Sequence, residues 1–130
     1  MTDPFAQTLA AWPPAASTKF GVARGLILSA AHHANAGQIC ESLKWGQPAW
    51  RPTRPRQATT LRANWSDKSP QTLTLFVDCR TRLAATMRDI YPHDFVYESS
   101  RALNLSLDAD LPAQAIDHLA RLTFTYHRTR

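Results

Sequence analysis

Apolar residues between positions 17 and 35 recur at the spacing of an α-helix. Residues three or four apart share one helix face, and the residues that do so here are Phe20, Ala23, Ile27, Ala30 and Ala31. Ser17 is suited to cap the start of this helix, and the Asn-Ala-Gly run at 35–37 is suited to end it. The paired prolines in "WPPAAS" predict that residues 1–16 form a short lead-in segment.

A second, shorter helix is predicted over residues 37–45. Ile39 and Leu43 are four positions apart and therefore share a helical face. Gly46 fits the left-handed position after a last helical turn, and Pro48 follows at the distance expected of a helix stop. The segment "ESLKWGQPAW" is thus interpreted as the end of a helix.

From residue 48 onward the period of the pattern changes to two, which is typical of β-strands. Cys79 continues the apolar alternation of "LTLFV" and is expected to point into the core. The "SDKSP" turn before that strand predicts an antiparallel pair. "PAWRP" is predicted to be an edge strand, because proline cannot donate to a central ladder. The predicted strands cover residues 48–52, 58–65, 71–79, 95–98 and 102–107.

Helical spacing returns over residues 83–90 and again in the last twenty residues. Asp110 is suited to cap this final helix, with Pro112 in its first turn. The face predicted to pack is Ile116, Leu119, Ala120 and Thr123.

The elements follow the order α-α-β-β-β-α-β-β-α. Strands that come in runs, rather than in strict alternation with helices, indicate an α+β fold. We expect one compact domain over residues 1–130, with its globular core at 17–127 and a mainly antiparallel sheet of about five strands carrying packed helices.

Composition changes this picture little. The chain has 130 residues, of which 44% are hydrophobic, and a formal net charge of +5. This balance excludes the disordered class for most of the chain, and it permits anionic partners without requiring them. No apolar run approaches the length of a membrane span, so no membrane partner is expected. Without a secretory signal, Cys40 and Cys79 are interpreted as reduced thiols in a cytoplasmic protein.

Few residues suggest catalysis or metal binding. His32 and His33 are adjacent, which points their side chains about 100° apart on a helix and gives poor geometry for a shared metal ligand. Cys40 has no histidine near it in sequence. The glycine-rich phosphate loop, the dinucleotide fingerprint and the serine-hydrolase elbow are all absent from the sequence. We therefore expect neither an enzyme nor a protein-bound cofactor.

A basic stretch lies between Trp50 and Trp65. It contains no acidic residue before Trp65, and its arginines are Arg51, Arg54, Arg56 and Arg62. Arginines beside tryptophans can hold an anion or stack on bases, and a solvated loop with a polar strand face is the alternative. Four arginines are a weak electrostatic signature for nucleic acid, so nucleic acid is not the partner we expect.

The run "ICESLKWGQPAW" resembles the K-W-G-x-P signature of the YdhG-like family of bacterial domains of unknown function. "TLTLFVDC", "MRDIYP" and "SSRALNLSL" resemble the strand, helix and arginine-led strand that follow in that family. The resemblance covers roughly residues 20–126. It implies a compact α+β domain with helices on an antiparallel sheet. Some members are described as frataxin-like iron chaperones, so iron is implied by the resemblance alone.

Three functions are therefore carried forward. The first is a non-enzymatic module that binds a small polar or anionic ligand, or a protein partner, as a monomer or homodimer. Its candidate site is Glu41, Lys44, Trp45, Trp50, Arg62 and Arg101. The second is an iron chaperone, and the third is an anion or nucleic-acid binder that uses the 51–62 arginine stretch.

Two finer expectations concern the tryptophans and the charges of the candidate site. Trp45 and Trp50 are expected to cover the junction between helix and sheet as apolar plugs. Glu41 and Lys44 are expected to lie on one helix face, with Arg101 as their partner.

Overall fold

A six-stranded antiparallel sheet with the strand order β1-β2-β3-β4-β6-β5 organises the protein. The computed structural model describes residues 3–55 and 58–128. Within these residues the helices are α1 (Ala6–Ala10), α2 (Pro14–His33), α3 (Leu83–Ile90) and α4 (Ala113–Phe124), followed by a 3-10 turn at Tyr126–Arg128. The strands are β1 (Ile39–Lys44), β2 (Gln47–Pro52), β3 (Leu61–Trp65), β4 (Thr72–Phe76), β5 (Val96–Glu98) and β6 (Ala102–Ser106).

The α+β fold predicted from the sequence is confirmed, with six strands rather than about five. The helix faces are also confirmed. In α2 the buried residues are Ala16, Phe20, Ala23, Ile27, Ala30 and Ala31, and in α4 they include Ile116, Leu119, Ala120 and Thr123. Both helices place an apolar stripe in the common core, as the 3.6-residue period requires.

One face of the sheet carries the core. Cross-strand partners share a face, and one such row runs through Ala63, Leu75 and Leu103, all of which are fully buried. The opposite face carries mostly polar and charged side chains. A row on that face runs through Arg62 and Phe76 to Ala102. We call it the open face.

The lead-in segment contributes to the core as well. Phe5 is fully buried and packs edge-on against Phe20 and Trp50, with ring centroids 5.7 Å apart in both pairs. Ser17 does not cap α2, because the helix already begins at Pro14 and the Ser17 hydroxyl donates to the Leu9 carbonyl instead. Residues before position 17 therefore help to form the core rather than only leading into it.

The helix predicted over residues 37–45 is wrong, because this segment is strand β1. Ile39 and Leu43 share a face in either structure, since a spacing of four is even and also fits the two-residue period of a strand. Gly46 does have a left-handed backbone, with φ of 75°, but it closes a two-residue hairpin between β1 and β2 rather than a helix.

Strand β2 was predicted at the sheet edge, and this too is wrong: β2 lies between β1 and β3. The Thr53 amide donates to the Gln38 carbonyl on the β1 side, so the backbone nitrogens of even-numbered β2 residues point toward β3. Pairing with β3 is limited to Ala49 and Trp50. Pro48 and Pro52 lie just outside that short ladder, where no donor is required.

Two local predictions near strand and helix ends are also corrected. Cys79 is exposed rather than in the core. The alternation stops after Val77, because Asp78 begins a turn in which its carbonyl accepts from the Thr81 amide. Asp110 does not cap α4, whose N-cap position is Pro112 and has no side-chain hydrogen bond.

Candidate anion-binding groove

A groove of about 690 Å³ lies at the end of the open face where β3 begins and β4 ends. Its lining residues come from the β1–β2 hairpin, the start of β3, the turn after β4 and the residue before β6. The basic residues that line it are Lys44, Arg51, Arg62, Arg80 and Arg101, and the acidic residue among the described lining is Asp78. The groove is therefore cationic, and we refer to it as the cationic groove.

Strand register explains why Arg62 lies at the centre of this surface. Arg62 is paired with Ala49 on one side and with Phe76 on the other. Its guanidinium lies over the Phe76 ring, 5.2 Å from the centroid, and donates from Nη1 to Gln47 Oε1 at 2.8 Å. A guanidinium has five N–H donors, so these contacts fix its plane without using its full capacity.

Arg101 brings a second guanidinium to the same groove. The Arg101 carbonyl accepts from the Val77 amide at 2.9 Å, which anchors its backbone beside the end of β4. Burial lowers the pKa of Arg62, and the neighbouring Arg101 charge lowers it further, whereas Asp78 raises it. An anion placed between the two guanidiniums would relieve this repulsion.

Asp78 offsets only part of the positive charge. Its carboxylate accepts from the Arg80 backbone amide at 2.8 Å and forms an ion pair with Arg80 Nη2 at 2.9 Å. Arg80 therefore holds the pKa of Asp78 below its usual value. Among the described residues, Lys44, Arg62 and Arg101 have no such carboxylate partner.

The Thr60 hydroxyl and Arg51 connect β2 to β3 along the groove wall. Arg51 Nη1 donates to Thr60 Oγ1 at 3.1 Å. This contact directs the Arg51 head along the wall. The basic stretch predicted at 51–62 is thus partly assembled: Arg51 and Arg62 line the groove, Arg54 is exposed, and Arg56 lies outside the described residues.

Trp45 stands at the rim of the groove, at the tip of the hairpin. Trp45 and Gly46 both have positive φ, 57° and 75°, which is the pattern of a type I′ turn. Trp45 is 90% exposed, so the prediction that it plugs the junction of helix and sheet is wrong. The hairpin holds the indole in solvent because the turn leaves it no neighbouring layer to pack on.

Glu41 and Trp50 belong to the other face. They are cross-strand partners, and Trp50 Nε1 donates to Glu41 Oε2 at 2.9 Å. Trp50 is fully buried and stacks on Phe20, with centroids 5.7 Å apart, so the prediction of an apolar plug is confirmed for this residue.

The partner of Glu41 is Arg24 of α2, and the expectation that Arg101 fills this role is wrong. Arg24 donates from Nε and Nη2 to the two carboxylate oxygens of Glu41, each at 2.8 Å, and from Nη1 to Asp3 at 2.8 Å. These bonds hold the pKa of Glu41 and of Asp3 below their usual values. Lys44 is three residues from Glu41 and, on a strand, projects from the opposite face.

The structure therefore divides the six predicted site residues into two groups. Lys44, Trp45, Arg62 and Arg101 line the cationic groove. Glu41 and Trp50 form a half-buried hydrogen-bonded network with Arg24 on the other face. The sequence pattern gave no signal for Arg24, whose contact with Glu41 spans 17 positions and depends on how α2 packs against β1.

Other kinds of site receive less support. Among residues 3–55 and 58–128, no group of three or more His, Cys, Asp or Glu side chains is arranged to hold a metal ion. No helix in the same ranges combines the length and apolarity needed to cross a membrane.

Comparison of the chain with protein-family models, with curated proteins and with solved structures finds no match. The YdhG-like resemblance and the iron delivery that it implies remain predictions.

Proposed function

We propose that this chain is a non-enzymatic binding module that holds a small anion in the cationic groove. The observation that carries the proposal is that two guanidiniums, those of Arg62 and Arg101, line the same groove together with Lys44. A pair of like charges in a groove is costly without a counter-charge and favourable with one. Planar guanidiniums match the geometry of phosphate and carboxylate.

The geometry favours a small ligand. The groove volume of about 690 Å³ falls within the range of small-molecule sites. Lys44 adds a point charge at the rim, and Arg62 is already held in place by Gln47 and Phe76. A guanidinium held in this way loses less conformational freedom on binding. Exposed free thiols at Cys40 and Cys79 are consistent with the reducing cytoplasm that we propose as its compartment.

Calorimetric titration with pyrophosphate tests the proposal. We expect saturable binding of one ion, with an affinity that falls as sodium chloride is raised, because the contacts are largely between charges. Arg62→Ala and Arg101→Ala should each weaken binding by about tenfold, the scale of a lost charge-assisted hydrogen bond.

Lys68→Ala is the matched control, since it removes one positive charge from the exposed β3–β4 turn, away from the groove. Its affinity for pyrophosphate should stay within about twofold of the unaltered protein. If Lys68→Ala lost as much pyrophosphate affinity as the groove variants, the losses would reflect the change in net charge alone. That result would refute a defined site. Absence of saturable pyrophosphate binding would refute the proposal outright.

A further inference from the structure

Trp45 differs from the other three tryptophans in having no structural role in the described part of the protein. Trp12 packs against Phe20, Trp50 is buried beside it, and the Trp65 indole donates to the Pro70 carbonyl at 3.0 Å. Trp45, by contrast, is 90% exposed. This exposed indole is also one of the side chains that line the cationic groove.

The backbone at Trp45 makes this exposure more notable. Its φ of 57° is left-handed, a region that bulky residues rarely adopt, whereas Asn or Gly at the first position of such a turn is favourable. The chain therefore holds a tryptophan where the turn itself favours a smaller residue. Strain of this kind, observed at the rim of a groove, supports a functional hypothesis for the side chain.

We propose that the anion bound in the groove carries a planar ring, and that this ring stacks on the Trp45 indole while the anionic group lies between Arg62 and Arg101. This inference rests on the proposed function and specifies its ligand class: a ring-bearing phosphate or carboxylate of nucleotide size. Two aromatic side chains line the groove, Trp45 and Tyr126. Tyr126 is half-buried and its hydroxyl accepts from the Arg82 amide, whereas the Trp45 indole is exposed. The flat faces of indole and base are complementary and stack without requiring a particular base.

Comparison of AMP with ribose 5-phosphate isolates the contribution of the ring, because both carry the same phosphate and sugar. We expect the protein to bind AMP about tenfold more tightly than ribose 5-phosphate, in line with stacking of one base on one aromatic side chain. In Trp45→Asn, which suits the turn, the preference should disappear through loss of AMP affinity, so that AMP and ribose 5-phosphate bind about equally. Trp45→Phe keeps a ring and should retain part of the preference.

Arg101→Ala serves as the complementary variant. It should weaken AMP and ribose 5-phosphate by the same factor, because it removes a contact to the phosphate that both share. This pattern separates the ring contact from the anion contact.

Each alternative outcome overturns a different claim. Equal affinity of the unaltered protein for AMP and ribose 5-phosphate overturns the ring inference and leaves anion binding intact. No binding of AMP, ribose 5-phosphate or pyrophosphate overturns both. If oligodeoxyadenylates bind far more tightly than AMP, with an affinity that rises steadily with strand length, the ligand is single-stranded nucleic acid. That result overturns the small-ligand class.

Discussion

Trp50 and Trp45 lie five residues apart on one β-hairpin and occupy opposite environments. Trp50 is fully buried between Phe5 and Phe20, and its indole N–H donates a hydrogen bond to the Glu41 carboxylate. Trp45 is 90% exposed at the rim of the cationic groove. The hairpin thus uses one tryptophan to join the sheet to the helices and presents the other to solvent. The difference teaches that the core and the cationic groove draw on separate faces of the same two strands.

The largest predicted effect is on the buried side. Trp50→Ala should lower the free energy of unfolding by about 3–5 kcal/mol, because it removes a large core side chain and leaves a cavity. Urea denaturation followed by circular dichroism measures the change. A loss below about 1 kcal/mol would show that the aromatic cluster with Phe5 and Phe20 does not support the fold as described.

The second prediction concerns the ion pair between Glu41 and Arg24, which lies beside Trp50. Glu41→Gln should cost about 2 kcal/mol at neutral pH, the scale of hydrogen bonds to a charged group, because Arg24 loses one of its two carboxylate partners and keeps only Asp3. Glu98→Gln on the open face is the matched control. Its exposed carboxylate accepts from the Asn104 amide, as a glutamine can, so a change within about 0.5 kcal/mol is expected.

The same pair gives stability a defined pH dependence. The pKa of Glu41 is held below its usual value of 4.5, chiefly by the hydrogen bonds from Arg24. A carboxyl group with a depressed folded-state pKa stabilises the fold above its unfolded-state pKa, and this contribution is lost as pH falls through the folded value. The stability difference between the unaltered protein and Glu41→Gln should therefore shrink as pH falls below 4.5. A difference that stays constant between neutral pH and acid would contradict the ion pair with Arg24.

On the exposed side the sign of the effect reverses. Trp45→Asn should raise the free energy of unfolding by about 1 kcal/mol, because asparagine tolerates the left-handed backbone that costs a bulky residue energy. Urea denaturation of Trp45→Asn and Trp50→Ala under the same conditions compares their free energies of unfolding directly. If Trp45→Asn destabilises the protein, the indole has a structural role and the contrast between the two tryptophans fails.

The smallest expected effect is at the groove itself. Arg101→Ala should change the free energy of unfolding by less than about 0.5 kcal/mol, as exposed surface substitutions usually do, while it weakens pyrophosphate binding. Denaturation and calorimetry on the same sample measure both. A large loss of stability would make Arg101 a structural residue rather than a ligand-binding one.

Much of the fold could be predicted because amphipathic periodicity is strong in its longest elements. The apolar stripes of α2 and α4 appear in the sequence at the spacing found in the structure. The alternation in β4 also identifies its buried face, through Leu73 and Leu75. These elements each bury one face against the core, so the sequence pattern reports the tertiary environment directly.

The hairpin that carries both tryptophans could not be predicted in the same way. Ile39 and Leu43 fit a helix and a strand equally, and the turn at Trp45-Gly46 lacks the Asn-Gly pair that signals a two-residue hairpin. Once the segment is a strand, neighbouring side chains alternate between faces. Glu41 and Lys44, predicted to lie on one helix face, therefore separate onto opposite faces of the sheet.

The candidate site was partly predictable for a different reason. Arg62 was a candidate because it belongs to the basic stretch between Trp50 and Trp65, and Arg101 was a candidate as the expected partner of Glu41 and Lys44. Their meeting in one groove depends on the β3–β4–β6 strand order, which local patterns do not specify. The contact between Arg24 and Glu41 likewise depends on tertiary packing between a helix and a strand.

Titration of isotopically labelled protein with pyrophosphate, followed by amide and indole NMR shifts, tests the central claim most directly. The account predicts saturable shifts at the backbone amides of Thr60, Arg62 and Arg101, while the indole signal of Trp50 remains in place. Shifts spread evenly over exposed basic residues, or confined to the buried face around Trp50, would contradict an anion site on the open face.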